Sequence, residues 1–112
     1  MNRYAIKRTN GNKVAGILNY DETTRTYTID IPTGISSEEA PFMLSLFLKK
    51  GIRSLDQDAS LRWVQSRIIP SSRQNIREIL ETNKMSSYDE HTLLLKNKGR
   101  SYQDEFYIEE IK

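Results

Sequence analysis

The residues best suited to recognition chemistry lie around a proline near the middle of the chain. Arg67 and Arg73 flank Pro70 in the spacing R-x-x-P-x-x-R. Planar guanidinium groups suit carboxylates and phosphates, so this pair could bind phosphate, nucleic acid or an acidic partner surface. The pair could equally hold the acidic C-terminal segment of the same chain, with Asp104 as the best-placed counter-charge. We favour this internal role, because an aspartate in a turn before a strand commonly fixes that turn.

The only tryptophan, Trp63, lies in the same segment. On an ideal helix, with about 100° per residue, the apolar side chains form one stripe and Trp63 lies roughly opposite, beside Arg67. The stripe consists of Leu61, Val64 and Ile68. Tryptophan and arginine are enriched at interface hot spots, so Trp63 is a candidate anchor for a partner protein. Alternatively, the N-terminal sheet or the C-terminal strand covers this side of the helix, with Arg67 stacked over the indole.

Nothing in the sequence assembles a catalytic or metal site. His91 is the only histidine and there is no cysteine, so the ligands of a structural zinc site and any disulfide are missing. No serine lies in a G-x-S-x-G elbow, and no G-x-x-x-x-G-K phosphate loop occurs. We therefore expect a chain that is not an enzyme and uses no cofactor or metal ion, with His91 either satisfied within the fold or solvated.

Composition indicates one folded domain. Of the 112 residues, 37% are hydrophobic and 29% are charged, a balance typical of a globular protein. No apolar run approaches the roughly 20 residues that a bilayer span needs, and the basic N-terminus is not followed by the apolar run of a secretory signal. We expect a single domain over residues 1–112, in the cytoplasm and without membrane contact.

The net charge of +2 is unevenly distributed. Residues 61–80 contain four arginines and one glutamate, a sum of +3, whereas residues 101–112 contain four acids and one lysine, a sum of −3. The two segments either neutralise each other within the fold or form ordinary solvated faces. A net charge this small does not by itself indicate a nucleic-acid-binding protein.

The hydrophobic patterns predict an α+β fold, in which a small antiparallel N-terminal meander packs with a helix–Pro corner–helix unit and a C-terminal strand. The meander covers residues 1–31, with strands at 3–8, 13–20 and 25–31. Asn10-Gly11 predicts a two-residue type I′ turn between the first two strands. Residues 41–48 fit a helix or a strand, and we favour the helix. Their apolar side chains should all enter the core, and they are Phe42, Met43, Leu44, Leu46, Phe47 and Leu48.

The helical part covers residues 36–84 and the mixed part covers residues 88–111. On either side of Pro70 we expect helices at residues 59–67, capped by Asp58 or Ser60, and at residues 73–82, capped by Ser71-Ser72. The mixed part should contain a turn at residues 97–99 and end in a strand at 105–111.

These residues together resemble the N-terminal accessory subdomain of HipA-like serine/threonine kinases, including the CtkA-like branch. The first motif is L-R-W-V-x-x-R-x-x-P-x-x-R, from Leu61 to Arg73. It is followed by Ile79-Leu80, by the leucine block at residues 93–95 and by G-R-S-x-x-D-x-x-Y-I, from Gly99 to Ile108. The resemblance covers nearly the whole chain, but its distinctive spacings lie between residues 41 and 111.

The resemblance implies a regulatory function. A kinase needs a core of some hundreds of residues, so here it must be a separate chain. In split HipA systems, the small protein that corresponds to this subdomain acts as an antitoxin or regulatory subunit of the separately encoded kinase. We therefore expect a bacterial toxin–antitoxin component that binds a HipA-like kinase chain.

The candidate site residues fall into two groups. The partner-binding candidates are Trp63, Arg67, Arg73 and Arg77, and the structural candidates are Pro70, Gly99, Asp104 and Tyr107. As an alternative function, a small nucleic-acid-binding protein could use the face formed by Arg67, Arg73 and Arg77. The fifteen acidic residues of the chain count against that alternative, because phosphate binding normally requires a wide basic face.

Overall fold

The computed structural model describes residues 2–11, 13–101 and 104–111. These residues form five strands, β1 (Asn2–Arg8), β2 (Val14–Asp21), β3 (Thr26–Asp30), β4 (Ser54–Leu55) and β5 (Phe106–Glu110). They also form four helices, α1 (Phe42–Lys49), α2 (Gln57–Gln65), α3 (Ile76–Thr82) and α4 (Glu90–Lys96). The strands make one antiparallel sheet in the order β4-β3-β2-β1-β5. The predicted α+β class is confirmed, and the C-terminal strand joins the N-terminal meander as a member of its sheet.

The first hairpin forms, but its predicted turn is wrong. The ladder between β1 and β2 ends at the pair Lys7 and Val14, and neither Asn10 nor Gly11 has the positive φ of a type I′ turn. Instead the Gly11 N–H donates to the Arg8 carbonyl at 3.0 Å. On the other side of β1, the Thr9 N–H donates to the Glu105 carbonyl at 2.8 Å. Contact with the C-terminal segment therefore continues past the last pair of the hairpin ladder.

Residues 41–48, whose sequence pattern fitted either a helix or a strand, fall largely within the helix α1. Leu44 is fully buried on the sheet beside Gly16, where a side-chain carbon would lie 3.5 Å from the Leu44 methyl group and 3.2 Å from Ile6. The small residue thus makes room for the helix on β2. Gly51, with a φ of +78°, ends the helix, and its N–H donates to the Leu48 carbonyl at 2.9 Å.

The predicted boundaries of the central helices need correction. Asp56 caps α2, with its carboxylate accepting from the Ala59 N–H at 2.9 Å, so the helix begins at Gln57. After the α2 helix the chain forms short turns over residues 66–75, such as the bond from the Arg73 N–H to the Pro70 carbonyl at 3.1 Å. Asn75 precedes α3 without a side-chain cap. Pro70 therefore lies between the two helices, as predicted, but within an irregular ten-residue segment, and Ser71-Ser72 caps no helix.

The segment before the last strand, whose sequence pattern was mixed, forms the helix α4. Asp89 caps α4 by accepting from the Thr92 N–H at 3.2 Å, and the helix buries Leu93 and Leu94. The core lies between the sheet and the helices α1, α2 and α4, with α2 packed against β3, whereas α3 buries none of its residues. The largest fully buried side chain of the core is Trp63.

Candidate functional site

Arg67 lies at the centre of a buried hydrogen-bond network. Its two terminal nitrogens, Nη1 and Nη2, donate to the two carboxylate oxygens of Asp104 at 3.0 and 2.6 Å. Nη2 also donates to the Phe106 carbonyl at 2.9 Å, and Nε donates to the Gly99 carbonyl. The Arg67 side chain is only 3% exposed. We call this group, together with Trp63, the Arg67 network, and it fastens the C-terminal segment to the second residue after α2.

Trp63 is 1% exposed, and the Arg67 guanidinium carbon lies 4.9 Å from its ring centroid. This is the covered arrangement that the sequence left as an alternative to an interface anchor. The indole Nε1 is buried and has no hydrogen-bond partner among the described residues. Because both Trp63 and Arg67 are enclosed, the structure gives them internal roles, and a partner could reach them only if the core opened.

Asp104 and Gly99 occupy structural positions, as their expected roles require. The Phe106 N–H donates to Asp104 Oδ1 at 3.0 Å, so the carboxylate bridges the turn and Arg67. Burial raises the pKa of Asp104, but the hydrogen bonds from Arg67 and Phe106 outweigh burial and hold this pKa below its ordinary value. Gly99 has a φ of +67°, and a side-chain carbon there would lie 3.0 Å from Ile108. Only glycine fits that position without strain.

The remaining predicted residues lie near the surface. Arg73 and Arg77 are exposed, on the irregular segment and on α3. Pro70 is exposed within the irregular segment, and Tyr107 on β5 lies under the Arg100 guanidinium at 5.2 Å from the ring centroid. The predicted basic face therefore loses Arg67, whose charge is already paired with Asp104.

The helix α1 carries an exposed apolar stripe that was not predicted from the sequence. Phe42 is 77% exposed and Leu46, one turn later, is 43% exposed, so the expectation that both enter the core is wrong. On a helix, Phe42, Leu46 and Lys49 fall on one face, away from buried Leu44. Once the segment is read as a helix, the lysine identifies this face as the outer one. We call Phe42 and Leu46 the α1 stripe.

His91 is satisfied within the fold, which is one of the two roles expected for it. Its Nδ1 lies 2.9 Å from the Tyr27 hydroxyl and its Nε2 lies 3.2 Å from the Tyr4 hydroxyl. The ring stacks on Tyr20 with centroids 3.7 Å apart. A neutral imidazole donates through one nitrogen and accepts through the other, and tyrosine hydroxyls can do either. This arrangement joins the first turn of α4 to three strands of the sheet.

Protonation of His91 should weaken the fold. Burial lowers the pKa of His91 below its ordinary value of 6.5, against the opposing charges of Asp89 and Glu22. The unfolded chain therefore takes up the proton first as the pH falls. The stability contributed by neutral His91 is fully present above about pH 6.5 and is lost below it.

Urea denaturation at a series of pH values between about 8 and about 5 measures this effect, because His91 is the only histidine of the chain. We expect the free energy of unfolding to decrease below about pH 6.5, and we expect the decrease to disappear in His91→Phe, which keeps the ring stack. Equal slopes for the two proteins would contradict the prediction.

No protein-family model, curated protein or solved structure matches this chain. Within residues 2–11, 13–101 and 104–111, no group of three or more histidine and acidic side chains could hold a metal ion. The same residues include no helix that is long and apolar enough to cross a membrane.

Proposed function

We propose that this chain is a non-catalytic binding module that regulates a separately encoded HipA-like serine/threonine kinase, as an antitoxin or accessory subunit in the bacterial cytoplasm. The observation that carries the proposal is the α1 stripe. A domain that buries Trp63 and Leu44 completely nevertheless leaves a phenylalanine 77% exposed beside a leucine. Exposed apolar side chains grouped on one face often mark a protein interface.

The Arg67 network joins the two motifs that carry the family resemblance on which the kinase partner rests. Its members come from both distinctive motifs, with Trp63 and Arg67 in the first and Gly99 and Asp104 in the second. Their separation in sequence and their meeting in space mean that the two motifs describe one packing arrangement. A motif of this kind preserves a fold, and the surface that meets the partner must be sought elsewhere.

Docking would work through the α1 stripe. Phe42 would enter an apolar pocket on the small lobe of the kinase, with Leu46 beside it and Lys49 at the rim of the interface. The bound module would control the kinase by blocking its active site or by holding its small lobe in one position. In this arrangement Arg67 and Trp63 act indirectly, because they keep the module folded.

Replacing Phe42 by alanine should weaken binding to the kinase by about 30-fold, equivalent to about 2 kcal/mol, because a buried aromatic anchor is typically worth that much. The stability of the free module should change by no more than about 0.5 kcal/mol, since the side chain is exposed. Calorimetric titration with the HipA-like kinase that we propose is encoded beside this chain measures the affinity, and urea denaturation measures the stability.

Leu95→Ala is the matched control, because Leu95 is a large apolar side chain that is 41% exposed on α4. We expect this variant to bind as the unaltered chain does. Equal affinities of the Phe42→Ala variant and the unaltered chain would remove the α1 stripe from the interface.

A further inference from the structure

A cavity of about 480 Å³ opens between the irregular segment after α2 and the C-terminal end of α4. Its apolar lining comes from four residues, Ile68, Ile69, Pro70 and Leu93. Its basic lining includes three exposed side chains, Arg73, Lys96 and Arg100. No aspartate or glutamate of the described chain lines it. A concave site of this size is typical of small-ligand pockets, which span roughly 300 to 1,000 Å³.

The three basic side chains lack a carboxylate partner among the described residues. The ion pairs among the described residues are Lys7 with Glu109, Lys13 with Glu39 and Arg67 with Asp104, and none of them includes Arg73, Lys96 or Arg100. Arg67 also lines the cavity, but Asp104 neutralises it. The cavity therefore concentrates positive charge that no carboxylate of the described residues compensates.

The helix ends nearby do not change the sign of this charge. Both α2 and α4 direct their C-terminal ends toward the cavity, through Ser66 and Asn97. Each end is equivalent to about −0.5 charge, a total of about −1 against three cations that have no carboxylate partner among the described residues. The balance of about +2 favours an anion with two negative charges.

We propose that this cavity binds a phosphate monoester. At neutral pH such a group carries about −1.5 to −2 charge and three acceptor oxygens, so it can engage Arg73, Lys96 and Arg100 together. The organic group attached to the phosphate packs on the apolar lining. This site goes beyond regulation of a kinase, since none of its lining residues belongs to the α1 stripe.

The phosphate could be carried by a small molecule such as a nucleotide or by a phosphorylated protein side chain. Calorimetric titrations of the whole chain with adenosine 5′-monophosphate and with the tripeptide Ala-phosphoserine-Ala distinguish these sources. Adenosine and Ala-Ser-Ala are the matched probes without phosphate, and inorganic phosphate is the probe without an organic group. We expect one phosphate monoester to bind measurably, its unphosphorylated match not to bind, and the affinity to fall as salt is added.

Arg73→Gln and Lys96→Gln should each weaken that binding by about tenfold, because each removes one charge-assisted hydrogen bond. Neither side chain makes a hydrogen bond or ion pair within the described chain, so both variants should remain folded, as thermal unfolding can verify. Arg77→Gln is the matched control, since Arg77 is an exposed arginine on α3 that does not line the cavity.

Each result of these titrations either supports the proposed phosphate site or overturns it. Binding of the nucleotide alone supports the site with a small-molecule ligand, and binding of the phosphopeptide alone supports it with a protein ligand. The proposal is overturned if no monoester binds at millimolar concentration, if adenosine or Ala-Ser-Ala binds equally well, or if only inorganic phosphate binds. It is also overturned if Arg73→Gln and Lys96→Gln leave the affinity unchanged, or if Arg77→Gln reduces it as much as they do.

Discussion

Replacing Arg67 by alanine should lower the free energy of unfolding by about 3 kcal/mol, the lower end of the range for breaking a buried ion pair, because Asp104 loses its counter-charge but is 24% exposed and keeps the bond from the Phe106 N–H. Asp104 would lose both guanidinium hydrogen bonds, and the carbonyl groups of Gly99 and Phe106 would lose their donors. A domain of this size typically has only about 5 to 15 kcal/mol of stability in total. Urea denaturation measures the loss directly.

Two further variants make the Arg67 result specific. Arg67→Lys keeps the charge but cannot form the forked pair with Asp104, so we expect an intermediate loss. Arg73→Ala removes an exposed arginine six residues later and should change stability by no more than about 0.5 kcal/mol. Similar losses for Arg67→Ala and Arg73→Ala would contradict the internal role of Arg67.

Acid titration provides an independent measurement of the same ion pair. The pKa of Asp104 in the folded chain lies below its ordinary value of 3.8. A carboxylate of this kind stabilises the fold above that ordinary value, and its contribution is lost as the pH falls through the folded pKa. The unaltered chain should therefore lose stability below about pH 4, and Arg67→Ala should lose less over that range.

Replacing Trp63 by alanine should lower the free energy of unfolding by about 3 to 5 kcal/mol, because it removes the largest fully buried side chain and leaves a cavity. Trp63→Phe should cost less, since the phenyl ring fills much of the volume and the indole N–H has no hydrogen-bond partner to lose among the described residues. Thermal or urea unfolding measures both variants.

The same pair of variants distinguishes a core residue from an interface anchor. A folded Trp63→Phe protein should bind the kinase with the affinity of the unaltered chain, because the structure encloses the side chain. If Trp63→Ala kept full stability and lost only kinase affinity, Trp63 would be an anchor and the internal assignment would be wrong.

Much of the fold follows from local patterns. Strand β3 alternates in the expected way, with Tyr27 and Ile29 buried, and the predicted pairing of Arg67 with Asp104 is confirmed. The helix α1 could be favoured over a strand because lysines and Gly51 end it in the usual way. These features depend on residues that are close together in sequence or on simple charge complementarity.

Other features depended on which element covers which surface, and a single sequence does not contain that information. One helix face was assigned to the core for α2, but Trp63 on the opposite side is buried as well, beside Arg67 and the returning C-terminal segment. The exposure of Phe42 was missed for the converse reason, since no element of the described chain covers that side of α1. Apolar character alone predicts burial, and only the packing of distant segments decides it.

The first hairpin also departs from its local signal. Asn10-Gly11 favours a type I′ turn, but neither residue has a positive φ, and the ladder ends at Lys7 and Val14. The hairpin was therefore predicted correctly from the sequence, and its turn type was not.

Co-purification tests the proposed function most directly. The chain, carrying an affinity tag, is expressed together with the HipA-like kinase that we propose is encoded beside it, and the kinase content of the purified sample and the toxicity of the kinase to the cell are measured. We expect the kinase to be recovered in a stoichiometric complex and its toxicity to change, and we expect both effects to be lost with Phe42→Ala and kept with Leu95→Ala. A chain that folds normally, recovers no kinase and leaves its toxicity unchanged would contradict the account.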